Sequence, residues 1–130
     1  MPLAITLDAV VPVDRSVNLF KVYGKIVPSG SYATGGDTLD FSGFDSIKSN
    51  KPPLWIRIFS SAVFTSTVGG WLYQGHPGTT LKNSVMQPLG QDPTSATGSV
   101  IPLEELAAGA YPAAITGDTI QFEAAFQFSD

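Results

Sequence analysis

The chain has 130 residues, enough for one domain that removes roughly two-thirds of its unfolded surface from water. There are 7 Lys and Arg against 11 Asp and Glu, a net charge of -4 with scattered basic residues, which argues against a nucleic-acid partner. The sequence contains no cysteine, which excludes disulfides, zinc-thiolate sites and cysteine nucleophiles. Charged residues make up only 14% of the chain, and a surface this neutral suits a protein that is oligomeric or docked on a partner. Neither a signal-peptide pattern nor an apolar stretch of about 20 residues is present, so no membrane partner is expected.

The first third of the chain predicts strands. Residues 4–11 have the composition of a strand, with residues 12–14 as its connection to the next one. Residues 16–27 alternate apolar Phe20, Val22 and Ile26 with Lys21, Tyr23 and Lys25, which predicts a half-buried strand. Residues 1–11 are also the candidate for a flexible N-terminal segment that orders on a partner.

The middle of the chain predicts a central strand, a short returning strand and a long polar insert. Residues 53–64 are apolar on both faces, which is typical of a strand in the middle of a sheet. A turn at Gly69-Gly70 precedes a short strand over residues 71–76. Residues 76–99 are rich in Gly, Pro, Thr, Ser, Asn and Gln, so they are predicted to form a long loop or insert.

The last third contains the clearest strand. Residues 102–109, "PLEELAAG", combine an early proline, acids in the first turn and a closing glycine, which predicts one short helix. A turn at residues 116–118 leads into residues 120–128, where three phenylalanines alternate with polar or small residues and predict a core strand. The chain is therefore predicted to be one all-β domain over residues 1–130, an antiparallel sandwich or barrel of short strands with at most one short helix.

Catalytic chemistry has little support in the residues. His76 is the only histidine, and nothing near it has metal-ligand spacing. Asp37, Asp40 and Asp45 do not match an EF-hand, and neither a G-x-S-x-G nor a phosphate-binding G-x-x-x-x-G-K motif occurs. We therefore predict no catalytic, cofactor-binding or metal-binding residue, no cofactor, and a protein that is not an enzyme.

Two groups of residues remain as candidates for other roles. Gly35, Gly36 and Asp37 lie between two predicted strands, so the glycines are expected to adopt positive φ in a bend that Asp37 or Thr38 caps. Exposed aromatic residues could stack on sugars, and an all-β carbohydrate-binding module is one alternative function. The platform would use Trp55, Trp71, Tyr73 and Tyr32, whereas the interface candidates are Trp55, Trp71, Tyr73, His76 and Met86.

Two stretches resemble small structural proteins encoded among the virion genes of tailed bacteriophages. They are "VYGKIVPSGSYATGGDTLDFS", residues 22–42, and "GAYPAAITGDTIQFEAAFQF", residues 109–128. The group shares a G-x-I step at a strand end, a Y-x-T-G-G-D/E-x-L segment and a closing alternating strand. The matching residues here are Gly24, Ile26, Tyr32, Thr34, Gly35, Gly36, Asp37 and Leu39, and more loosely residues 120–128.

The resemblance implies assembly rather than catalysis. It predicts a capsid decoration (cement) protein made in the host cytoplasm and located on the capsid surface of the virion. Its partners would be the major capsid protein and copies of itself, in a closed oligomer such as a trimer. A tail, neck or head-fibre component is the alternative within the same group of proteins.

Overall fold

The computed structural model describes residues 3–14, 18–60, 71–90 and 103–128 of the chain. These residues form ten β-strands and one short helix, so the fold is all-β. In chain order the elements are β1 (Leu3–Asp14), β2 (Leu19–Pro28), β3 (Ser31–Tyr32), β4 (Asp37–Leu39), β5 (Trp55–Ser60), β6 (Trp71–His76), β7 (Ser84–Gly90), β8 (Glu104–Glu105), β9 (Gly109–Ala110), α1 (Ala113–Thr116) and β10 (Ile120–Gln127).

Within the described residues, the strands form one large and one small antiparallel sheet. The large sheet has the order β1-β2-β10-β5-β6-β7-β4, and β8 pairs with β7 beside β4. It curls into a half-barrel, which brings its two ends, β1 and β4, into contact without pairing them. The small sheet pairs β3 with β9. One face of the large sheet therefore encloses the core, and the other faces outward.

The core is built on β10, which pairs with β2 on one side and β5 on the other. Phe122, Ala124 and Phe126 all point inward from β10 and are fully buried. Phe126 stacks on Phe20 with ring centroids 5.5 Å apart and meets Phe41 edge-on at 5.4 Å. Burying side chains of this size contributes about 1.5–3 kcal/mol each, so this aromatic group contributes strongly to the stability of the domain.

Several predictions of strands are confirmed. Residues 4–11 lie in β1, residues 19–27 in β2, and residues 71–76 in β6. The alternation of Phe20, Val22 and Ile26 is matched by their burial. β5 and β10 occupy the middle of the sheet, as expected. The Gly69-Gly70 turn, residues 16–17 and residues 61–64 of the predicted central strand lie outside the described residues.

Other predictions differ from the structure. Residues 12–14 continue β1 instead of forming a connection. Residues 3–11, which belong to the candidate flexible segment, lie in β1 and pair with β2, with a register shift between Leu7 and Ala9. The predicted loop over residues 76–99 contains β7, while residues 91–99 fall outside the described part of the chain. Arg57 and Phe59 of β5 are exposed, so one face of this strand is wet.

The predicted helix over residues 102–109 is wrong for its described part. Glu104 and Glu105 form β8 because they pair with Gly90 and Leu89 of β7, and the Leu106 N–H donates to the Pro88 carbonyl. The helix of the described residues is α1, which ends at Thr116, the first residue of the turn predicted over residues 116–118. Pairing with β7 thus overrides the helical preference of Leu and Glu.

Candidate functional site

The bend between β3 and β4 is built from two glycines with positive φ. Gly35 has φ 98° and Gly36 has φ 117°, values that other residues adopt only with strain. The Gly36 N–H donates to the Ala33 carbonyl at 3.1 Å and closes the turn. A Cβ at Gly36 would lie 2.9 Å from Val85 Cβ, so this glycine also allows the bend to pack against β7. The bend leads directly into β4, whose Leu39 is buried.

Asp37 is a buried carboxylate that hydrogen bonds hold in place. Its Oδ1 accepts from the Ala33 N–H at 3.1 Å, and its Oδ2 accepts from the Tyr111 hydroxyl. Burial is the largest cause that raises the pKa of Tyr111, followed by this bond. Tyr111 also meets Tyr32 edge-on, with ring centroids 5.8 Å apart. Asp37 therefore ties the bend to the segment just before α1.

Glu105 makes a second link to the same bend. Its Oε1 accepts from the Tyr32 hydroxyl at 2.5 Å and from the Gly35 N–H at 2.6 Å. The Tyr32 bond, followed by the Gly35 bond, lowers the pKa of Glu105, whereas burial and the same carboxylate raise the pKa of Tyr32. We call Tyr32, Asp37, Glu105 and Tyr111 the Asp37–Glu105 cluster. Both of its carboxylates accept hydrogen bonds from other parts of the chain, so these groups help to hold the fold together.

The charge of Glu105 should make stability depend on pH. Ionised Glu105 stabilises the fold above its unfolded pKa of about 4.3, and this contribution is lost as the pH falls through the lower folded value. Glu105→Gln keeps an acceptor oxygen but removes the charge. We expect the variant to unfold at a lower urea concentration than the native chain at pH 7, and the gap to narrow as the pH falls below the unfolded pKa of about 4.3.

The native chain and the Glu105→Gln variant share every other titrating group, which provides an internal control. The pKa of Asp40 is lowered by hydrogen bonds from Ser42, but Asp40 is present in both proteins and its effect cancels in the difference. Urea midpoints measured by tryptophan fluorescence across this pH range test the prediction. A gap that stays constant with pH would contradict it.

A second carboxylate cluster lies at the ends of β5 and β10. Asp118 Oδ2 accepts from the Tyr73 hydroxyl at 2.9 Å and from the Ser60 hydroxyl. Burial, followed by this bond, raises the pKa of Tyr73. The arrangement connects β6, β5 and the turn before β10, so these polar groups again serve the fold.

The predicted interface residues do not form one surface. Met86 is fully buried and Tyr73 is 7% exposed, so neither side chain is available to a partner. Trp55 and Trp71 are half-buried, and the Trp55 Nε1–H is buried without an acceptor among the described residues. His76 is exposed, and its Nε2 lies 2.7 Å from Gln87 Oε1.

The predicted sugar platform is not assembled either. Tyr32 and Tyr73 are both buried and donate their hydroxyls to Glu105 and Asp118. The Trp71 ring packs closely over Gly90, where an added Cβ would lie only 2.7 Å from the ring. Trp71 therefore covers the inner side of β7. The four aromatic residues therefore do not share one exposed strip.

The outward face of the large sheet carries exposed apolar residues that were not among the predicted interface residues. Leu72 on β6 is 62% exposed and Phe59 on β5 is 50% exposed, and half-buried Leu89 pairs with Leu72 from β7. We call Phe59, Leu72 and Leu89 the outer apolar patch. Alternation along the strands could have identified them, since each is out of phase with the core residues of its strand.

A shallow groove of about 440 Å³ lies beside this patch, along the line where β5 meets β6. Its walls are residues 56–59 of β5 and residues 73–76 of β6. Among the described residues, Arg57 and Gln74 are the only positions at which the two strands pair, so the strands separate along most of the groove. We call this feature the β5–β6 groove. Its open shape suits a side chain of another molecule rather than an enclosed small ligand.

The described residues bring no three His, Asp or Glu side chains together as a metal-binding group. No helix among them is long and apolar enough to cross a membrane. Comparison of the chain with protein-family models, with curated proteins and with solved structures finds no match. The outer apolar patch, the β5–β6 groove and the two carboxylate clusters are therefore the features on which a functional proposal rests.

Proposed function

We propose that this chain is a structural protein of a bacteriophage virion, a capsid decoration (cement) protein that binds the outside of the capsid and stabilises it. The observation that carries the proposal is the outward face of the sheet, where Leu72 and Phe59 are exposed on a chain with only 14% charged residues. Exposed apolar groups within a largely neutral surface are typical of protein–protein contact sites. The proposal includes no catalytic role, cofactor or nucleic-acid partner.

The use of the acidic residues agrees with this proposal. Asp37, Glu105 and Asp118 each accept hydrogen bonds from tyrosine hydroxyls and serve to join segments of the fold. Several residues that carry the phage resemblance belong to the same construction: Tyr32 and Asp37 are in the Asp37–Glu105 cluster, and Gly35 and Gly36 form the bend. The motif thus has a structural use in this fold.

A cement protein acts by adding interface between neighbouring capsid subunits. A standard protein interface buries about 800 Å² on each partner, and each buried apolar Å² contributes about 25 cal/mol before the costs of association. A protein bound across the boundary of two subunits must be released before they separate. The partners in this proposal are the major capsid protein and copies of the chain itself, and the location is the capsid surface.

Cosedimentation tests the proposal directly. Purified protein is mixed with capsid shells that lack it and, separately, with tails and connector complexes of the same virus, and the pellets are assayed for the chain. We expect saturable binding to shells and a higher disruption temperature of the decorated shells. Binding to tails or connectors alone would favour the tail, neck or head-fibre alternative. Absence of binding to any virion part would overturn the proposal.

A glycan screen tests the remaining alternative, a carbohydrate-binding module. A carbohydrate-binding module would change its tryptophan fluorescence when a glycan binds, and Trp55→Ala or Trp71→Ala would abolish the change. A cement protein is expected to show no such response.

A further inference from the structure

The wall of the β5–β6 groove contains a positive charge that is not matched by a carboxylate. Arg57 is exposed and makes no ion pair among the described residues. Its cross-strand neighbour on β10 is Glu123, but this carboxylate is held by Lys21, with Oε1 and Nζ 3.2 Å apart. On its other side Arg57 pairs with Gln74, which is neutral. The guanidinium is therefore open to an acceptor from another molecule.

This unmatched charge sets Arg57 apart from the other basic residues of the same strands. Strands β2, β5, β6 and β10 carry three basic residues, Lys21, Lys25 and Arg57. Lys21 has Glu123 within 3.2 Å and Lys25 has Asp8 within 3.9 Å, whereas Arg57 has no such carboxylate among the described residues. Although the chain has a net charge of -4, the groove is therefore suited to a negatively charged group of a partner.

Exposed apolar side chains lie beside this charge on the same face of the sheet. Phe59 is two residues after Arg57 on β5, and Leu72 is two residues before Gln74 on β6. Because the two strands are antiparallel, both apolar residues lie on the same side of the Arg57–Gln74 pair. Phe59 is 50% exposed and Leu72 is 62% exposed. Residues two apart on a strand are separated by about 7 Å, so a polar level and an apolar level are adjacent at that spacing.

An extended peptide has the same spacing between its side chains. Residues i and i+2 of such a peptide point to one side, about 7 Å apart. A segment with Asp or Glu at one position and a large apolar residue two positions away would place its carboxylate over Arg57 and its apolar side chain against Phe59 and Leu72. Arginine binds a carboxylate through two parallel hydrogen bonds, and the Gln74 amide is a further donor in the groove wall.

The apolar level favours a peptide over an acidic sugar. Sugar rings stack on flat aromatic side chains. Leu72 has the highest exposed fraction of the large apolar residues described, and its branched aliphatic side chain has no such face. It is instead suited to contact with another apolar side chain.

We propose that the β5–β6 groove binds an extended segment of a partner protein that carries an acidic residue and a large apolar residue two positions apart, with Arg57 binding the carboxylate and Phe59 and Leu72 contacting the apolar side chain. The inference rests on the proposed function, in which the partner is the major capsid protein, and it specifies the chemistry of that contact. Arginine and large aromatic residues contribute most of the energy of many protein interfaces, so Arg57 and Phe59 should dominate this one.

The first test uses the purified chain and short blocked peptides, without any virion part. In a nuclear magnetic resonance titration, acetyl-Glu-Thr-Leu-amide should shift the signals of the Arg57 Nε–H and the Gln74 side-chain amide, with a Kd of about 1–10 mM. Acetyl-Gln-Thr-Leu-amide lacks the charge and should bind roughly fivefold more weakly. Acetyl-Glu-Leu-Thr-amide, whose leucine points to the other side of an extended chain, should also bind more weakly.

Variants of the chain identify the group that binds the carboxylate. Arg57→Gln should remove the preference for the glutamate peptide, and Arg57→Lys should restore only part of it, because an ammonium does not form the two parallel bonds. Lys25→Gln is the matched control, since it removes the same charge from β2, two strands from β5, and should leave both Kd values unchanged. Should Arg57→Gln fold poorly, Arg57→Lys makes the same test.

Three results of these titrations would overturn the proposal. They are unchanged groove signals at about 20 mM peptide, equal binding of the glutamate and glutamine peptides, and a preference that survives in Arg57→Gln. Glucuronate that binds the groove more tightly than the glutamate peptide would also overturn it and assign the groove to an acidic sugar.

Binding to capsid shells separates this proposal from the proposed function. Arg57→Gln should weaken cosedimentation with shells at least about tenfold, and Lys25→Gln should not. If the native chain binds the glutamate peptide but no virion part, only the proposed function is wrong. If the native chain and Arg57→Gln bind shells equally well, only the groove proposal is wrong.

Discussion

Replacing Phe126 with alanine should lower the free energy of unfolding by about 3–5 kcal/mol. The Phe126 ring is fully buried in the middle of the core, between Phe20 and Phe41. Its removal would lose the transfer free energy of the ring and leave a cavity that these neighbours fill only in part. Urea unfolding followed by circular dichroism at 25 °C measures the change.

The matched control for this substitution is Phe59→Ala. Phe59 is also on a central strand of the sheet but is 50% exposed on the outward face. Its loss should change the stability of the monomer by less than about 1 kcal/mol. Equal losses for the two variants would mean that the core is not centred on β10.

Gly36→Ala should destabilise the fold by about 2–4 kcal/mol. Two physical effects add at this position. The φ of 117° is strained for any residue with a Cβ, and that Cβ would lie 2.9 Å from Val85 Cβ and 3.2 Å from the Met86 carbonyl oxygen. Because β4 pairs with β7 directly after the bend, relief of the clash would pull Asp37 away from Met86, its pairing partner.

Substitutions at two other glycines separate the backbone strain from the steric clash. Gly35 has φ 98°, but a Cβ at this position would meet no other atom within 4 Å, so Gly35→Ala should cost only the backbone strain, about 1–2 kcal/mol. Gly43 has neither a positive φ nor a close neighbour, and Gly43→Ala should change stability by less than about 0.5 kcal/mol. Chemical denaturation of all three variants gives the order directly. Equal stabilities would contradict the structural role of the bend.

The strands that the sequence predicts well are those whose inward residues are large and apolar. Over residues 20–26 of β2 and along β10, every second residue is a buried Phe, Val, Ile or Ala, or a glycine at Gly24. Gly24 has a spatial cause, because a Cβ there would lie 2.8 Å from the Phe122 ring and 2.1 Å from the Thr6 carbonyl oxygen. A period of two in residues of this kind is sufficient to place both strands and their faces.

β7 could not be found in this way. Its inward residues are Ser84, Met86, Pro88 and Gly90, a set without the apolar alternation of a core strand. They are suitable because Trp71 covers Gly90 and the Ser84 hydroxyl accepts from the Gly78 N–H at 3.2 Å. Which residues fit on the inner face of β7 depends on side chains from other segments, and the sequence of β7 alone does not reveal them.

The same limit applies to the candidate sites. The sequence placed Asp37 in a bend, but its hydrogen-bond partner Tyr111 lies 74 positions away, and Tyr32 and Glu105 are 73 apart. No local pattern connects residues at such separations. The outer apolar patch likewise becomes visible only when β5, β6 and β7 are placed side by side.

The position of β10 has a consequence for how the chain acquires its structure. β10 follows every other described strand in the sequence but lies between β2 and β5, where Ile120 pairs with both Ile26 and Ser60. Until β10 has been synthesised, β2 and β5 therefore have unpaired edges, and the core lacks the phenylalanines of β10. Folding dominated by such distant pairings is slow, on the order of milliseconds to seconds, and unpaired strand edges are prone to aggregation. The newly made chain is most vulnerable just before residues 120–127 emerge from the ribosome.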